Sequence, residues 1–288
     1  MADALSTILE TTQAERLATG FGFTEGPLWD PINGCYYFVD LRRNLLHRIT
    51  PGKEPEVVRE NTGEGNGTTF DLQGRIVMCE GGNRRITRRH ADGRIDVLVD
   101  RFEGKRLNRP NDVVVKSDGS IYFTDPGLGR VESELDFCGI YRVSPDRDSM
   151  HLLVRDCVLP NGLCFSPDES ILYINDSRRR HIRAFDVEPT GLLALASDRV
   201  LCTMTGERPG NPDGMKVDLE GNVYCTGPGG IWIMDRAGTH LGTILTRKST
   251  TNMAWGDADW STMYFTTRHT LGRVQLKIPG VPVPRGTL

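Results

Sequence analysis

Six polar residues open short apolar stretches of this sequence, and their side chains are of the kinds that bind cations. They recur at intervals of about 40 to 50 residues, a spacing typical of a structural repeat. The six are Glu25, Asn66, Asn111, Asn161, Asp213 and Asn252. No Lys or His stands at these positions, and each of the two carboxylates precedes a glycine that allows close approach of the backbone. Carboxylates that face a narrow space require a compensating cation, so the set predicts a metal site.

The donor atoms indicate which kind of ion would bind. Carboxylate and carboxamide oxygens, without Cys or His, favour a hard divalent cation such as Ca²⁺, Mg²⁺ or Mn²⁺. Such an ion polarises a carbonyl group and lowers the pKa of water, which is the chemistry of metal-assisted hydrolysis. At any single position, Asn or Asp could instead cap the start of a strand. Polar side chains at all six positions favour the metal interpretation.

Other catalytic patterns are weak in this sequence. It contains no Gly-x-Ser-x-Gly elbow, no phosphate-binding loop and no dinucleotide fingerprint. The six histidines show no metal-ligand spacing. We therefore do not expect serine-type nucleophilic catalysis.

The segment 107–126 shows which element positions the polar residues. Asn111 precedes the apolar run 113–115, Ser-Asp-Gly forms a turn at 117–119, and 121–124 is a β-rich return strand. Antiparallel pairing brings the start of the first strand and the end of the second to one sheet edge. The hairpin recurs six times, followed by a third and usually a fourth strand pattern. Four-stranded units of this length predict an all-β, six-bladed β-propeller whose polar residues ring one mouth of the central channel.

Closure of the ring requires a fourth strand for the last blade. Three prolines make the C-terminal tail, 279–288, poor sheet material. Residues 14–19 precede the first blade and have no blade of their own, so we predict that they form the outer strand of the sixth. We predict one propeller domain spanning 1–288, with an N-terminal extension at 1–13 and the C-terminal tail.

Composition excludes several partner classes. Net charge is −3, which gives no reason to expect nucleic acid, and no apolar run approaches the length of a membrane span. The N-terminus lacks the features of a signal peptide. Seven cysteines form no Cys-x-x-Cys pair, which fits a reducing cytoplasm. We expect a cytoplasmic monomer or weak homo-oligomer, without nucleic-acid or membrane partners.

At these polar positions the chain resembles the family of gluconolactonases, SMP-30 (regucalcin) and luciferin-regenerating enzymes. Four motifs carry the resemblance: Glu25-Gly26-Pro27, Arg109-Pro110-Asn111-Asp112, Asn161-Gly162-Leu163 and Pro212-Asp213-Gly214-Met215. Phe-Thr-Asp-Pro at 123–126 and Cys-Glu-Gly-Gly-Asn-Arg-Arg at 79–85 resemble the bacterial gluconolactonase branch. The similarity extends over nearly the whole chain.

The resemblance implies roles for individual residues. Glu25, Asn161 and Asp213 would bind the metal, with Asn111 at or beside it and also in contact with substrate. Asp213 would also act as a general base, and Arg109 would contact substrate oxygens. The ion would most often be Ca²⁺, with Zn²⁺, Mn²⁺, Mg²⁺ and Fe²⁺ as alternatives.

The resemblance also implies an activity, namely metal-dependent opening of a sugar lactone to the aldonic acid. Arg109, Glu80, Asp125 and Asp176 would give the pocket a polar wall suited to a polyhydroxylated substrate. Two other functions stay open at this point. The chain could hydrolyse organophosphates or aryl esters, as similar propellers do, or it could be a binding propeller with a purely structural ion.

Overall fold

A computed structural model describes residues 4–11, 14–127, 132–246 and 248–285, and nearly all of its regular structure is β-strand. The described residues contain no helix with the length and apolar character needed to cross a membrane. One short helix, α1 (Ala4–Ile8), comes first and is followed by strand β1 (Glu15–Thr19).

Six four-stranded antiparallel sheets follow, and each is one blade. Blade 1 contains β2 to β5, at Thr24–Asp30, Cys35–Asp40, Leu45–Ile49 and Glu56–Glu60. Blade 2 contains β6 to β9, at Gly65–Phe70, Ile76–Glu80, Arg85–Arg89 and Ile95–Val99. A two-stranded hairpin then intervenes, with β10 and β11 at Arg101–Phe102 and Lys105–Arg106.

Blade 3 contains β12 to β15, at Val113–Val115, Ile121–Asp125, Cys138–Val143 and Met150–Cys157. Blade 4 contains β16 to β19, at Pro160–Phe165, Ile171–Asp176, His181–Val187 and Leu193–Thr203. Blade 5 contains β20 to β23, at Met215–Val217, Val223–Gly227, Gly230–Met234 and His240–Leu245. Blade 6 contains β24 to β26, at Thr250–Gly256, Thr262–Thr267 and Thr270–Gln275, together with β1. The predicted six-bladed propeller is therefore confirmed.

Blade 3 shows how the sequence sets the register. Val113 pairs with Phe123, and Val115 pairs with Ile121. Gly119 closes the connecting turn with φ of +88°, a backbone conformation that glycine adopts without steric cost. The second strand of the blade is buried along its whole length, because neighbouring strands cover both of its edges and adjacent blades cover its faces.

Aromatic side chains fill the space between blades. The second strands of five blades each contribute a buried tyrosine, namely Tyr36, Tyr122, Tyr173, Tyr224 and Tyr264. Tyr224 of blade 5 packs edge-on against Trp255 of blade 6, with ring centroids 4.7 Å apart. Tyr264 of blade 6 contacts Tyr36 of blade 1, also at 4.7 Å. One continuous apolar cluster thus joins the last two blades to the first and closes the ring.

The N-terminal strand completes blade 6 as predicted. β1 pairs antiparallel with β26, and Arg273 forms an ion pair with Glu15 at 2.9 Å. The preceding segment also takes part in the fold, since Ile8 and Leu9 are buried in the ring-closing cluster and Leu9 bridges Leu276. Part of the predicted N-terminal extension therefore packs against the propeller.

The C-terminal tail is also packed. It lies at the end of the channel opposite the six polar residues that begin the blades, which we call the opening residues. Val281 donates its backbone N–H to the Val217 carbonyl at 3.2 Å. Arg285 forms an ion pair with Glu169 at 3.1 Å and donates to backbone carbonyls of blade 4. Together with the inner strands, the tail lines a small cavity of about 60 Å³. Its prolines exclude it from a sheet, but its side chains cover one end of the channel.

Removal of residues 1–20 should cause aggregation, because it leaves the β26 edge unpaired and an open strand edge pairs with other chains. Removal of residues 1–11 alone is the matched control. It keeps β1 in place and should give a monomeric protein with a lower melting temperature, because burial of Ile8 and Leu9 is lost. Light scattering and thermal denaturation measure both effects. A monomeric 1–20 deletion with the melting temperature of the 1–11 deletion would contradict the assigned role of β1.

Candidate metal centre and active site

Hydrogen bonds across blade boundaries bring the opening residues together. Gly67 donates its N–H to the Asn111 carbonyl at 2.8 Å, joining blades 2 and 3. The Thr124 hydroxyl donates to the Asn161 carbonyl at 2.7 Å, joining blades 3 and 4. The Asn175 amide donates to the Asp213 carbonyl at 2.5 Å, joining blades 4 and 5. Because each strand start is held by its neighbour, the side chains at these positions are fixed around one mouth of the channel.

Two glycines explain how the backbones fit so closely. A Cβ atom at Gly26 would lie 2.1 Å from the Asn66 carbonyl oxygen, and φ at Gly26 is +52°. A Cβ atom at Gly214 would lie 2.1 Å from the Asn252 side chain. The glycine after each carboxylate is therefore required by crowding at the channel mouth, as the sequence indicated.

Glu25 and Asp213 converge at this mouth. Glu25 is buried, and its Oε2 accepts hydrogen bonds from the Gly26 N–H at 2.9 Å and from the Asn252 amide at 3.1 Å. Burial raises the pKa of Glu25, and the negative charge of Asp112 raises it further. Burial likewise raises the pKa of Asp213 well above its ordinary value, and the charge of Glu25 adds to this effect. The two carboxylates are thus close enough to repel each other.

Asn161 completes the group. A hydrogen bond from its amide lowers the pKa of Asp213 and opposes the effect of burial. The same amide donates to the Ser177 hydroxyl at 3.1 Å, and that hydroxyl donates to the Pro212 carbonyl at 2.5 Å. Both amide contacts use the nitrogen, whereas the carbonyl oxygen is the atom that a hard cation binds.

The chemistry of this group fits a divalent cation. Two carboxylates that repel each other, one buried and one partly buried, are stabilised by a positive charge between them, and an amide oxygen adds a neutral ligand. Among the described residues, no three His, Cys, Asp or Glu side chains are grouped to hold a metal. A site here would therefore depend on asparagine oxygens, as the sequence analysis inferred.

Metal-free protein should lose stability as the pH rises. The pKa of Glu25 is raised from 4.5 to about 7 by burial, so the folded state retains a proton that the unfolded chain has released. The contribution of Glu25 to stability is therefore fully present below its ordinary pKa and declines until the pH passes the raised value. Thermal denaturation in chelator between about pH 5 and 8 measures the decline, and Glu25→Gln should reduce it. If the loss of stability with pH were the same in Glu25→Gln as in the wild type, Glu25 would not be the group that causes it.

Arg109 and Asn111 lie on the same rim. Asn111 is partly buried at the start of blade 3, where its N–H donates to the Thr124 carbonyl at 2.9 Å. The Arg109 guanidinium, with a side chain 21% exposed, forms an ion pair with Glu64 at 2.8 Å. Asn111 is itself one of the opening residues, and Arg109 precedes it by two positions, outside the strands of the blade.

Glu80 and Asp125 lie nearby, but both are fully buried and engaged within the protein. Burial acts to raise the pKa of Glu80, yet hydrogen bonds from Asn83, Arg59 and Arg85 outweigh it and the pKa is lowered. Asp125 accepts backbone N–H groups of Asn108 and Arg109 at 2.7 and 2.6 Å. Both carboxylates hold adjacent loops, and their direct contact with substrate stays a prediction.

Three further residues act on the site and had no individual role assigned from the sequence. Asn252 was one of the six opening residues, but its contact with Glu25 was not anticipated. Asp112 is buried beside the carboxylates, and Lys216 lowers the pKa of both Glu25 and Asp112. Lys216 follows Asp213 by three positions and lines the channel cavity. Strand alternation from Gly214 could have placed it on the channel face.

Comparison with known proteins now assigns the chain to a family. The model described as "SMP-30/Gluconolactonase/LRE-like region" matches residues 23–269. The chain belongs to this family. The SMP-30/gluconolactonase/LRE-like match includes all the predicted site residues, whereas β1 and the packed C-terminal tail lie outside it.

Individual members of the SMP-30/gluconolactonase/LRE-like family align over most of their length. A gluconolactonase of Zymomonas mobilis is 30% identical over an alignment that covers 96% of this chain and 85% of the relative. The pentonolactonase XacC of Haloferax volcanii is 29% identical, covering 84% of this chain and 80% of the relative. A solved gluconolactonase from Xanthomonas campestris is 31% identical with a TM-score of 0.88, covering 96% of this chain and 93% of its own.

Proposed function

We propose that this chain is a lactonase that hydrolyses the ring ester of an aldonolactone to the aldonic acid at the mouth formed by Glu25, Asn161 and Asp213. The observation that carries the proposal is the pair of mutually repelling carboxylates, Glu25 buried and Asp213 partly buried, beside an oriented asparagine amide. Relatives named gluconolactonase and pentonolactonase support the substrate class.

Glu25, Asn161 and Asp213 would hold one divalent cation, with Asn111 at or beside it. Ca²⁺ suits this all-oxygen set best, because two carboxylates balance its charge and amide oxygens are among its usual ligands. When bound, the cation would polarise the lactone carbonyl and acidify water. Asp213, Arg109 and Asn111 are the residues that we propose act on the substrate directly.

Asp213 is proposed as the general base. Its carboxylate would accept a proton from the attacking water, which a bound cation would make more acidic. Attack forms a C–O bond to the carbonyl carbon, and the ring C–O bond then breaks. The proton held by Asp213 is returned to the departing ring oxygen, which becomes a hydroxyl of the product. The Asp213 carboxylate therefore takes one proton from water and returns one proton to the leaving oxygen.

Arg109 and Asn111 bind the rest of the substrate. The Arg109 guanidinium presents several N–H donors, of which only some are used by Glu64. These donors and the Asn111 amide suit the hydroxyl and ring oxygens of a sugar lactone. Because hydroxyl groups left without partners in a buried site are costly, such contacts favour polyols over apolar esters.

A substrate panel tests the proposal. Purified protein with added divalent cation is mixed with γ- and δ-aldonolactones, aryl esters and phosphotriesters, and proton release or phenol release is followed. We expect kcat/KM for the best aldonolactone to exceed that for any aryl ester or phosphotriester by about 10²-fold or more. Esters without hydroxyl groups would leave hydrogen-bonding groups of the site unpaired, which costs selectivity of this size. A preference for phosphotriesters, or no hydrolysis with metal demonstrably bound, would overturn it.

A further inference from the structure

The ion pair between Glu64 and Arg109 gives this rim an unusual charge pattern. Both residues lie outside the strands, Glu64 just before blade 2 and Arg109 just before blade 3. Their charged groups are 2.8 Å apart, and their side chains are 31% and 21% exposed. An arginine beside the opening would ordinarily attract anions, but here a carboxylate partly satisfies it.

The backbone holds Glu64 in this position. Its N–H donates to the Asn44 side chain at 2.5 Å, and its carbonyl accepts the Gly81 N–H at 3.2 Å. The φ angle of Glu64 is +53°, which few non-glycine residues adopt. Such a conformation persists only when its surroundings fix it, so the placement of Glu64 is determined by the fold.

Gly81 provides the space in which Arg109 lies. A Cβ atom at Gly81 would be 3.0 Å from Arg109 Cγ and 3.4 Å from Nε. The arginine stem therefore rests on the bare backbone of Gly81, and the guanidinium extends from there to Glu64. Asp125 fixes the other end of the residue by accepting its backbone N–H at 2.6 Å.

We propose that Glu64 sets the charge specificity of the site: it masks Arg109, so that the opening accepts neutral polyhydroxylated lactones and disfavours anionic ones. This inference rests on the proposed lactonase function. The same masking disfavours the aldonate product, which carries a carboxylate where the substrate is neutral. Product anions therefore leave rather than remain bound to the guanidinium.

Removing the charge of Glu64 tests the inference directly. Glu64→Gln keeps the shape of the side chain and should lower the inhibition constant of gluconate about fivefold to tenfold, because a unit charge near a partly exposed site contributes about 1 kcal/mol. It should raise, by a similar factor, the kcat/KM for an aldarolactone relative to a neutral aldonolactone. Both effects should shrink as ionic strength rises from about 0.05 to 0.5 M.

Three comparisons separate this role from a structural one. In an Arg109→Met background, Glu64→Gln should leave gluconate binding unchanged, because the masked group is missing. Glu56→Gln, which breaks the outer Arg48–Glu56 pair of 2.6 Å, is the control and should change neither constant. The inference would be overturned if Glu64→Gln left the inhibition constant of gluconate unchanged. It would also be overturned if Glu64→Gln lowered that constant equally in the Arg109→Met background. Calorimetry measures gluconate binding without turnover. The result therefore tests the role of Glu64 even if the protein does not hydrolyse lactones.

Discussion

Glu25→Gln is expected to abolish lactone hydrolysis while making the metal-free protein more stable. Glu25 is 3% exposed, and both burial and neighbouring charge oppose its ionisation. The amide removes that cost, which is on the order of 3 kcal/mol above neutral pH, and retains a similar shape. It also removes a charged ligand, so metal affinity and kcat/KM should fall together, the latter by about 10³-fold or more, because the ion supplies several kcal/mol.

Glu80→Gln is the matched control for this result. Glu80 is also a fully buried carboxylate, but Arg59 and Arg85 contact it at 2.6 and 2.7 Å. Its neutralisation should destabilise the protein, because two arginines lose their partner. Denaturation in chelator and calorimetric metal titration distinguish the variants. A destabilised Glu25→Gln that still binds metal with wild-type affinity would contradict the assignment of Glu25 as a ligand.

Asp213→Asn should lower kcat by at least about 10²-fold at saturating metal, the effect typical of a removed general base. The amide still offers an oxygen to the ion, so metal binding should be weakened but measurable. Arg109→Ala is the comparison, because it should mainly raise KM if Arg109 binds substrate and transition state alike. Near-wild-type kcat in metal-saturated Asp213→Asn would leave Asp213 as a ligand alone.

Much of the architecture could be predicted from the sequence, because a repeat constrains the fold more strongly than any single residue does. The recurring hairpins identified the blades, and the shortage of strands after 278 identified β1 as the closing strand. The convergence of Glu25, Asn161 and Asp213 followed from their equivalent positions in three blades. Inner strands of a propeller begin at one mouth, so the repeat alone predicts that these residues lie together.

Features that depend on irregular segments could not be predicted in this way. Glu80 and Asp125 end strands at the correct edge of the sheet, yet their oxygens satisfy neighbouring arginines and loop N–H groups. Strand alternation does not report such partners. The C-terminal tail uses single contacts such as those of Arg285 rather than a strand pattern. The Glu64–Arg109 pair joins two loops, one of them with a positive φ that no periodicity indicates.

Metal dependence at the Glu25, Asn161 and Asp213 mouth is the central claim, and a metal add-back titration tests it most directly. Protein is stripped with chelator, Ca²⁺ or another divalent ion is returned in steps, and aldonolactone hydrolysis is measured beside calorimetric occupancy. We predict a rate that rises from background in proportion to occupancy of one site, and no recovery in Asn161→Ala at the same concentrations. Full hydrolysis by the stripped protein, or recovery in Asn161→Ala equal to that of the wild type, would contradict the account.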